Sequence, residues 1–317
     1  MSSSVSGGAI GPASPQKRSV WARIWKDRWI YLIMLPGIAF FILFRYVPIY
    51  GIQLAFKRFD VAAGITASPW IGFENFKRLF IDQEFFFALR NTIIISYMQL
   101  VFFFPFPIIL AILLNEVMQR RVKRVLQTVY TFPHFLSWVI VAGIMMNFLA
   151  NDGAVNGLLS LLGADKVSFL TSKSLFRFIL MFTLNWKNAG WSTILYLAAI
   201  TSIDPSLYDA ATIDGANRWH KIRYITWPGI QVIVITMLIL RVGNMMDAGF
   251  DQIMNLYNPT VVDVSDILDT YIYRITFQKT PNFGFSTAVG LFKGLTNCIL
   301  LLSVNWICKR VSGTGII

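Results

Sequence analysis

Six stretches of this chain are predominantly apolar for about twenty residues each: about Trp29–Phe56, Asn91–Leu114, Val125–Ala150, Phe176–Ile200, Gly229–Met246 and Phe285–Ile307. A helix of roughly 20 residues crosses a hydrocarbon layer of about 30 Å, so runs of this length match a bilayer. The runs are apolar on every face, unlike the one-sided helices of a soluble domain. None alternates with the two-residue period of a barrel strand. Charged residues make up only 14% of the chain, against about 25% in an average soluble domain. The predicted fold class is an all-α polytopic membrane protein with about six transmembrane helices.

The first run is too long for the apolar part of a secretory signal, and no small-x-small cleavage site follows it at a suitable distance, so it is read as an uncleaved first span. Ahead of it, residues 1–18 are rich in Ser, Gly and Pro. That composition cannot bury enough apolar surface to offset its ordering entropy, which predicts a disordered tail. Residues 19–28 carry Trp21 and Trp25, which with Trp29 fall near one helical face, while Arg23 and Lys26 lie away from it. This pattern predicts an amphipathic segment lying in the membrane interface. Residues 29–317 then form the transmembrane domain.

The formal net charge is +12. Its basic residues cluster beside the apolar runs, which points to anionic lipid and control of topology, with no nucleic-acid partner. Lys17, Arg18, Arg23, Lys26 and Arg28 precede span one; Arg120, Arg121, Lys123 and Arg124 follow span two; Arg218, Lys221 and Arg223 follow span four; Lys309 and Arg310 end span six. Loops of the other parity carry Asp152, Asp165, Asp251, Asp263, Asp266 and Asp269 with few cations. The first outside loop is an exception, with Lys57, Arg58, Lys77, Arg78 and Arg90 against Asp60, Glu74, Asp82 and Glu84. The bias predicts a multi-pass protein with both termini in the cytoplasm.

Between spans four and five, residues 204–228 then form a cytoplasmic elbow. Asp204 before Pro205 reads as an N-cap followed by proline at the first helical position. Ser206–Ile213 should form one helix, Asp214-Gly215 should end it, and a second should run from Arg218 to Thr226 and stop at Pro228. Ala210, Ala211 and Ala216 give the elbow a small-residue face on which another protein's backbone can come close.

Here the sequence resembles a known family. "AATIDGANRWHKIRYITWP" is similar to the cytoplasmic signature of binding-protein-dependent ABC importer permeases: Glu-Ala-Ala, three residues, Gly, nine residues, Ile, one residue, Leu-Pro. Ala210, Ala211, Gly215, Ile225 and Pro228 occupy their places; Asp209 stands for the glutamate and Trp227 for the leucine. "YVPIYGIQLAFKRF", "GFENF", "NTIIIS", "ILLNEV", "YTFPHFLSWVI", "NWKNAGWSTILYLAAI" and "DTYIYRITF" extend the likeness to the sugar-importer branch. They most resemble permeases for oligosaccharides and polysaccharide fragments, uronate-containing ones included. The resemblance implies a bacterial plasma-membrane subunit that forms half of a translocation path with a second, homologous permease. It also implies two ATPase subunits below and an extracytoplasmic solute-binding protein that delivers the oligosaccharide. By the same resemblance the elbow is the coupling helix that seats in an ATPase groove, a role carried onto Asp209, Ala210, Ala211, Asp214, Gly215 and Trp219.

The chain has no Gly-Lys dipeptide and so no Walker A loop. ATP and Mg would belong to the partner ATPase, and this chain needs no cofactor, metal or catalytic set of its own. His134 and His220 are separate and read as structural, and Cys298 and Cys308 read as packing residues. Import of another small solute remains an alternative. An ion-gradient carrier is a weaker one, because matched Gly/Pro-broken repeats are not seen.

Polar residues within the spans suggest the solute path, because leaving them against lipid is costly. Asn185, Asn188, Ser192 and Tyr196 fall near one face of span four, with Trp191 beside them; Asn244 and Asn297 lie in spans five and six. Amides and hydroxyls would pair with sugar hydroxyls, and Trp191 or Tyr196 would stack on a ring; the same residues also suit bonds between packed helices. For Arg45, Lys187 and Arg241, salt bridging or snorkelling is expected over substrate contact. Lys293 would either attract an acidic sugar or pair with Asp247.

Overall fold

The computed structural model describes residues 25–313 and 315, which are overwhelmingly helical, with one isolated bridge between Lys57 and Trp70. The expected tail and the first part of the interfacial segment lie outside the described residues. Contacts divide the chain into two units, residues 1–53 and 54–317. In the first, α1 (Arg28–Phe41) continues through a π turn at Ile42–Tyr46 into a 3-10 stretch, Val47–Phe56, whose last three residues belong to the second. No residue of α1 is buried, as suits a helix that is apolar all round.

In the second unit, α2 (Glu74–Leu79) leads to α3 (Gln83–Met98), a π turn at Gln99–Phe103 and α4 (Pro105–Asn115). Next come α5 (Arg120–Thr131), α6 (Trp138–Leu149), α7 (Ala154–Leu161) and the long α8 (Lys173–Thr201). The elbow holds α9 (Pro205–Ile213) and α10 (Arg218–Lys221), followed by α11 (Trp227–Gly243). The chain then forms α12 (Phe250–Leu256), α13 (Val262–Ser265), α14 (Leu268–Tyr273) and α15 (Phe283–Ser312).

Among the described residues, five stretches are long and apolar enough to cross a membrane: Arg28–Phe56, Gln83–Asn115, Trp138–Leu161, Arg218–Gly243 and Phe283–Ser312. The expected fourth span is not among them. It forms the unbroken helix α8 of 29 residues, about 43 Å at 1.5 Å per residue, but polar side chains lower its hydropathy. It can be that polar because it is packed inside protein: twelve of its residues are buried, Lys187 and Thr193 among them. Phe176, Leu180 and Met181 join one core cluster with α6 and the segment after α11; Tyr196, Leu197 and Ile200 join another with α4 and α11.

The expected third span is also corrected. Val125–Ala150 is not one helix, because Pro133 lies in a 3-10 turn at Phe132–Phe135 that separates α5 from α6. Helix α5 has basic Arg120, Arg121, Lys123 and Arg124 at its start and no buried residue. The segment between spans five and six, expected to be an outside loop, packs into the core: Ile253, Leu256, Val261, Ile267, Leu268 and Tyr271 are all buried.

Pro228 does not stop the second elbow helix. Residues Arg218–Gly243 run on through a π turn at Ile222–Thr226, where the Trp227 N–H bonds the Ile222 carbonyl. Proline lacks an N–H, and its ring presses on the carbonyl four residues earlier. A wider π turn relieves both, and the same device precedes Pro48 and Pro105: π turns at Ile42–Tyr46 and Gln99–Phe103 each end two residues before the proline.

Helices α5 and α8 cross closely at Gly190, where an added Cβ would lie 2.0 Å from the Tyr130 carbonyl oxygen. We expect Gly190→Ala to cost about 1–3 kcal/mol or more by forcing the backbones apart. Gly157→Ala, where an added Cβ meets nothing within 4 Å, should be neutral. Thermal unfolding of the purified variants checks this: the midpoint should fall by several degrees only for Gly190→Ala.

Candidate functional site

The elbow is built from short-range hydrogen bonds. The Asp204 carboxylate accepts the Ser206 N–H at 2.9 Å and caps α9, with Pro205 at the first position. Those bonds hold the Asp204 carboxyl below its ordinary pKa. The cap's contribution is therefore fully present above the usual carboxylate range and is lost only as the pH falls below that range, through the lowered folded-state pKa. At the other end, the Ala216 N–H bonds the Ala211 carbonyl at 2.8 Å and the Gly215 N–H bonds that of Thr212 at 3.1 Å. With Gly215 at φ +76° this is a Schellman ending. Asn217 then caps α10 by accepting the His220 N–H at 2.9 Å.

Two side-chain bonds join the arms: Tyr208 Oη to Thr226 Oγ1 at 2.9 Å, and Lys221 Nζ to Thr212 Oγ1 at 2.7 Å. Between them lies a concavity of about 360 Å³, walled in part by Ala211, Asp214, Gly215, Ala216 and Tyr224. Asp209, Ala210 and Trp219 lie outside it but are exposed, as are the apolar Leu207 and Ile213. His220, set aside as structural in the sequence, stacks on Tyr224 with ring centroids 6.1 Å apart.

The expected solute-path residues do not form a single stripe. Lys187, near the middle of α8, donates to the carbonyls of His134 at 2.7 Å and Leu136 at 2.6 Å, and lies over the Trp138 ring. It is buried and bridges no acid among the described residues, where a salt bridge or snorkel was expected. One residue further, the Asn188 side-chain Oδ1 accepts from His134 Nδ1 at 3.1 Å. The His134 ring lies parallel to Trp191, with centroids 4.7 Å apart and 4° between planes; Phe135 meets Trp191 edge-on at 6.0 Å. Trp191 is 49% exposed and Phe135 is 72% exposed, so the set has an open aromatic face. His134 was missed because the proline break that turns it towards α8 is visible in "FPHF" only once α8 is known to pack there.

The other residues have different surroundings. Asn185 faces a separate apolar cavity of about 530 Å³, with Phe102, Phe106, Tyr130 and Trp186 on its walls. Its amide donates to its own helix at the Met181 carbonyl. Tyr196 is 4% exposed inside a hydrophobic cluster, so the expected stacking role is corrected to packing. Asn297 accepts the Met246 N–H at 2.9 Å and donates to Asp247 at 3.1 Å, which closes the end of span five. Ser192 is half-buried; Asn244 is exposed and bonds back to the Leu240 carbonyl. Arg241 is bound to Gln99, and Lys293 pairs with Asp247 and Asp269, each at 2.5 Å. Both cations are thus already partnered within the protein.

Residues 103–313 match the family described as the inner membrane component of binding-protein-dependent transport systems. The chain belongs to that family. It is 40% identical over 302 residues to YteP, the polygalacturonan/rhamnogalacturonan transport system permease protein of Bacillus subtilis, covering 95% of this chain and 94% of YteP. It is 28% identical over 264 residues to the lactose transport system permease protein LacF of Rhizobium radiobacter, covering 82% of this chain and 87% of LacF. Among solved structures, a chain of a bacterial alginate ABC transporter, crystallised with an alginate pentasaccharide-bound periplasmic protein, superposes with a TM-score of 0.85. That chain is 39% identical in sequence, and the match covers 94% of this chain and 99% of that one. This permease is thus an inner-membrane subunit, and its elbow falls within the matched residues.

Lys187 satisfies carbonyls freed by the helix break, and removing it leaves them unpaired at a cost of about 1–3 kcal/mol. We expect Lys187→Met to lower the thermal midpoint of the purified permease by several degrees. His134→Ala, which retains the backbone carbonyl, should lower it less; equal midpoints for wild type and Lys187→Met would contradict the assignment.

Proposed function

We propose that this chain is one of two homologous permeases in an ATP-driven importer of oligosaccharides or polysaccharide fragments, acidic ones in particular. An extracytoplasmic binding protein would deliver the sugar, and two ATPase subunits with their ATP and Mg would sit against the cytoplasmic face. The observation that carries this reading is the elbow: a capped two-arm turn, cross-linked within itself and continuous with a membrane-crossing helix. A push on Asp209, Ala210, Ala211, Asp214, Gly215 or Trp219 would pass through Thr226 into α11 without crossing a hinge.

The uronate-type substrate is supported by the relatives, since the names of YteP and the alginate transporter both specify acidic polymers. The cytoplasmic placement of both termini rests on the Lys/Arg bias. It is supported by pairings between segments expected on one side: elbow Arg218 reaches Glu116 at 3.9 Å, while Asn258 donates to the Leu170 carbonyl at 2.9 Å on the other. Asn188 and Trp191, with His134 and Phe135, would give the sugar a weak platform near mid-membrane, amide beside ring. Ser192 and the exposed Asn244 would add further polar contacts.

Uptake by the assembled transporter in proteoliposomes, driven by loaded binding protein, tests the proposal. Gly215→Val meets no clash but places a β-branched residue at φ +76°. Uptake and substrate-stimulated ATP hydrolysis should both fall by about tenfold while insertion is retained, because the elbow turn is reshaped. Wild-type values for both would remove the coupling role.

Trp191→Ala and Asn188→Ala should each lower the maximal uptake rate with assembly and basal ATP hydrolysis intact. Normal transport combined with loss of the second permease on purification would make these residues interface contacts instead.

A further inference from the structure

A cavity of about 730 Å³, walled by charged and apolar side chains, opens between α3 and the segment after α12. Glu84, Arg90, Asp263, Asp266, Arg274 and Lys279 line it, with Phe87 and Tyr257. Each of its three carboxylates already has a cation. Glu84 pairs with Lys279 at 2.8 Å and with Arg274 at 3.4 Å. Asp266 pairs with Arg274 at 2.7 Å, and Asp263 pairs closely with Lys173.

Beside these pairs, two guanidinium groups have no acid partner among the described residues. Arg177 stands behind the wall, where it donates to the Val264 carbonyl at 3.1 Å and to Asn91 Oδ1 at 2.8 Å, both neutral acceptors. Arg90 lines the cavity and forms no hydrogen bond or ion pair with any described residue. It lies close enough for its charge to act on Arg177. The site thus carries uncompensated positive charge beside Phe87, an exposed ring. A planar guanidinium beside an open aromatic face suits a ligand that joins a carboxylate to a ring with an apolar face. The volume lies within the range of small-molecule sites.

We propose that this cavity is an outer station for the carboxylates of the imported sugar, with Arg90 as the group that meets each uronate. The inference rests on the acidic-oligosaccharide reading above and adds a charge-selecting contact distinct from the mid-membrane platform. An anionic lipid headgroup is the other source of an anion at this depth, and the test separates the two.

The assembled transporter is held in phosphatidylcholine nanodiscs without binding protein, and equilibrium binding of radiolabelled trigalacturonate is measured. Arg90→Gln should weaken binding by about tenfold, as loss of a charged hydrogen bond does. Arg90→Lys, which keeps the charge but loses the planar fork, should fall between the two, and the fully methyl-esterified trimer should bind wild type and Arg90→Gln alike. Adding phosphatidylglycerol to the discs should not displace the sugar. Equal trigalacturonate binding by wild type and Arg90→Gln, absence of binding to wild type, or displacement by phosphatidylglycerol would each overturn the station. Uptake of trigalacturonate by wild-type proteoliposomes with binding protein is scored separately. Failure there removes the acidic-substrate reading itself, whereas uptake with Arg90-independent binding removes only the station.

Discussion

A backbone carbonyl that leaves its helix within an apolar layer must find another donor, because water is not there to supply one. Lys187 meets that requirement for the break between α5 and α6, with both its hydrogen bonds going to main-chain oxygens. The rest of the centre follows. With the break held against α8, His134 faces Asn188 and Trp191, and Phe135 is left exposed beside them. The close crossing at Gly190 sets the distance at which a lysine stem can reach across. A polar central helix and a broken neighbouring one are therefore one arrangement, each making the other tolerable.

The same need for satisfied backbone explains how proline is used. At Pro105 and Pro228 the helices continue through it, because a π turn two residues earlier widens the coil. At Pro133 the chain breaks instead, and a lysine from another helix accepts the task. In the elbow, continuity past Pro228 joins its second arm directly to a helix long and apolar enough to cross a membrane. The Tyr208–Thr226 bond sits on that very π turn.

Charge is partitioned by depth in a comparable way. Lys293 closes on two acids, Arg241 on an amide, and Arg274 links Asp266 to Glu84. These pairs tie the segment after span five to helices α3 and α15, so the region between the last two spans is part of the core. Arg90, which lines the cavity between α3 and the segment after α12, stands apart from this pattern, with no such partner among the described residues.

Helical runs, the elbow's cap and its glycine turn were legible in the sequence, because each depends on residues within a few positions of one another. Asp204, Pro205 and Gly215 act on their own backbone, and hydrophobic length alone separates bilayer from water. The family signature was legible for the same reason, being a local pattern. The surroundings of the polar residues within the spans were not. Asn185 and Asn188 lie three positions apart, yet one faces an apolar cavity and the other a histidine 54 residues away in sequence. Tyr196, polar enough to suggest a ligand, is enclosed by α4 and α11. What a side chain touches is set by which helices pack against it, and in this chain those neighbours are distant in sequence. Local sequence determined what each segment is; the tertiary packing decided which polar groups were consumed in holding the helices together and which were left exposed.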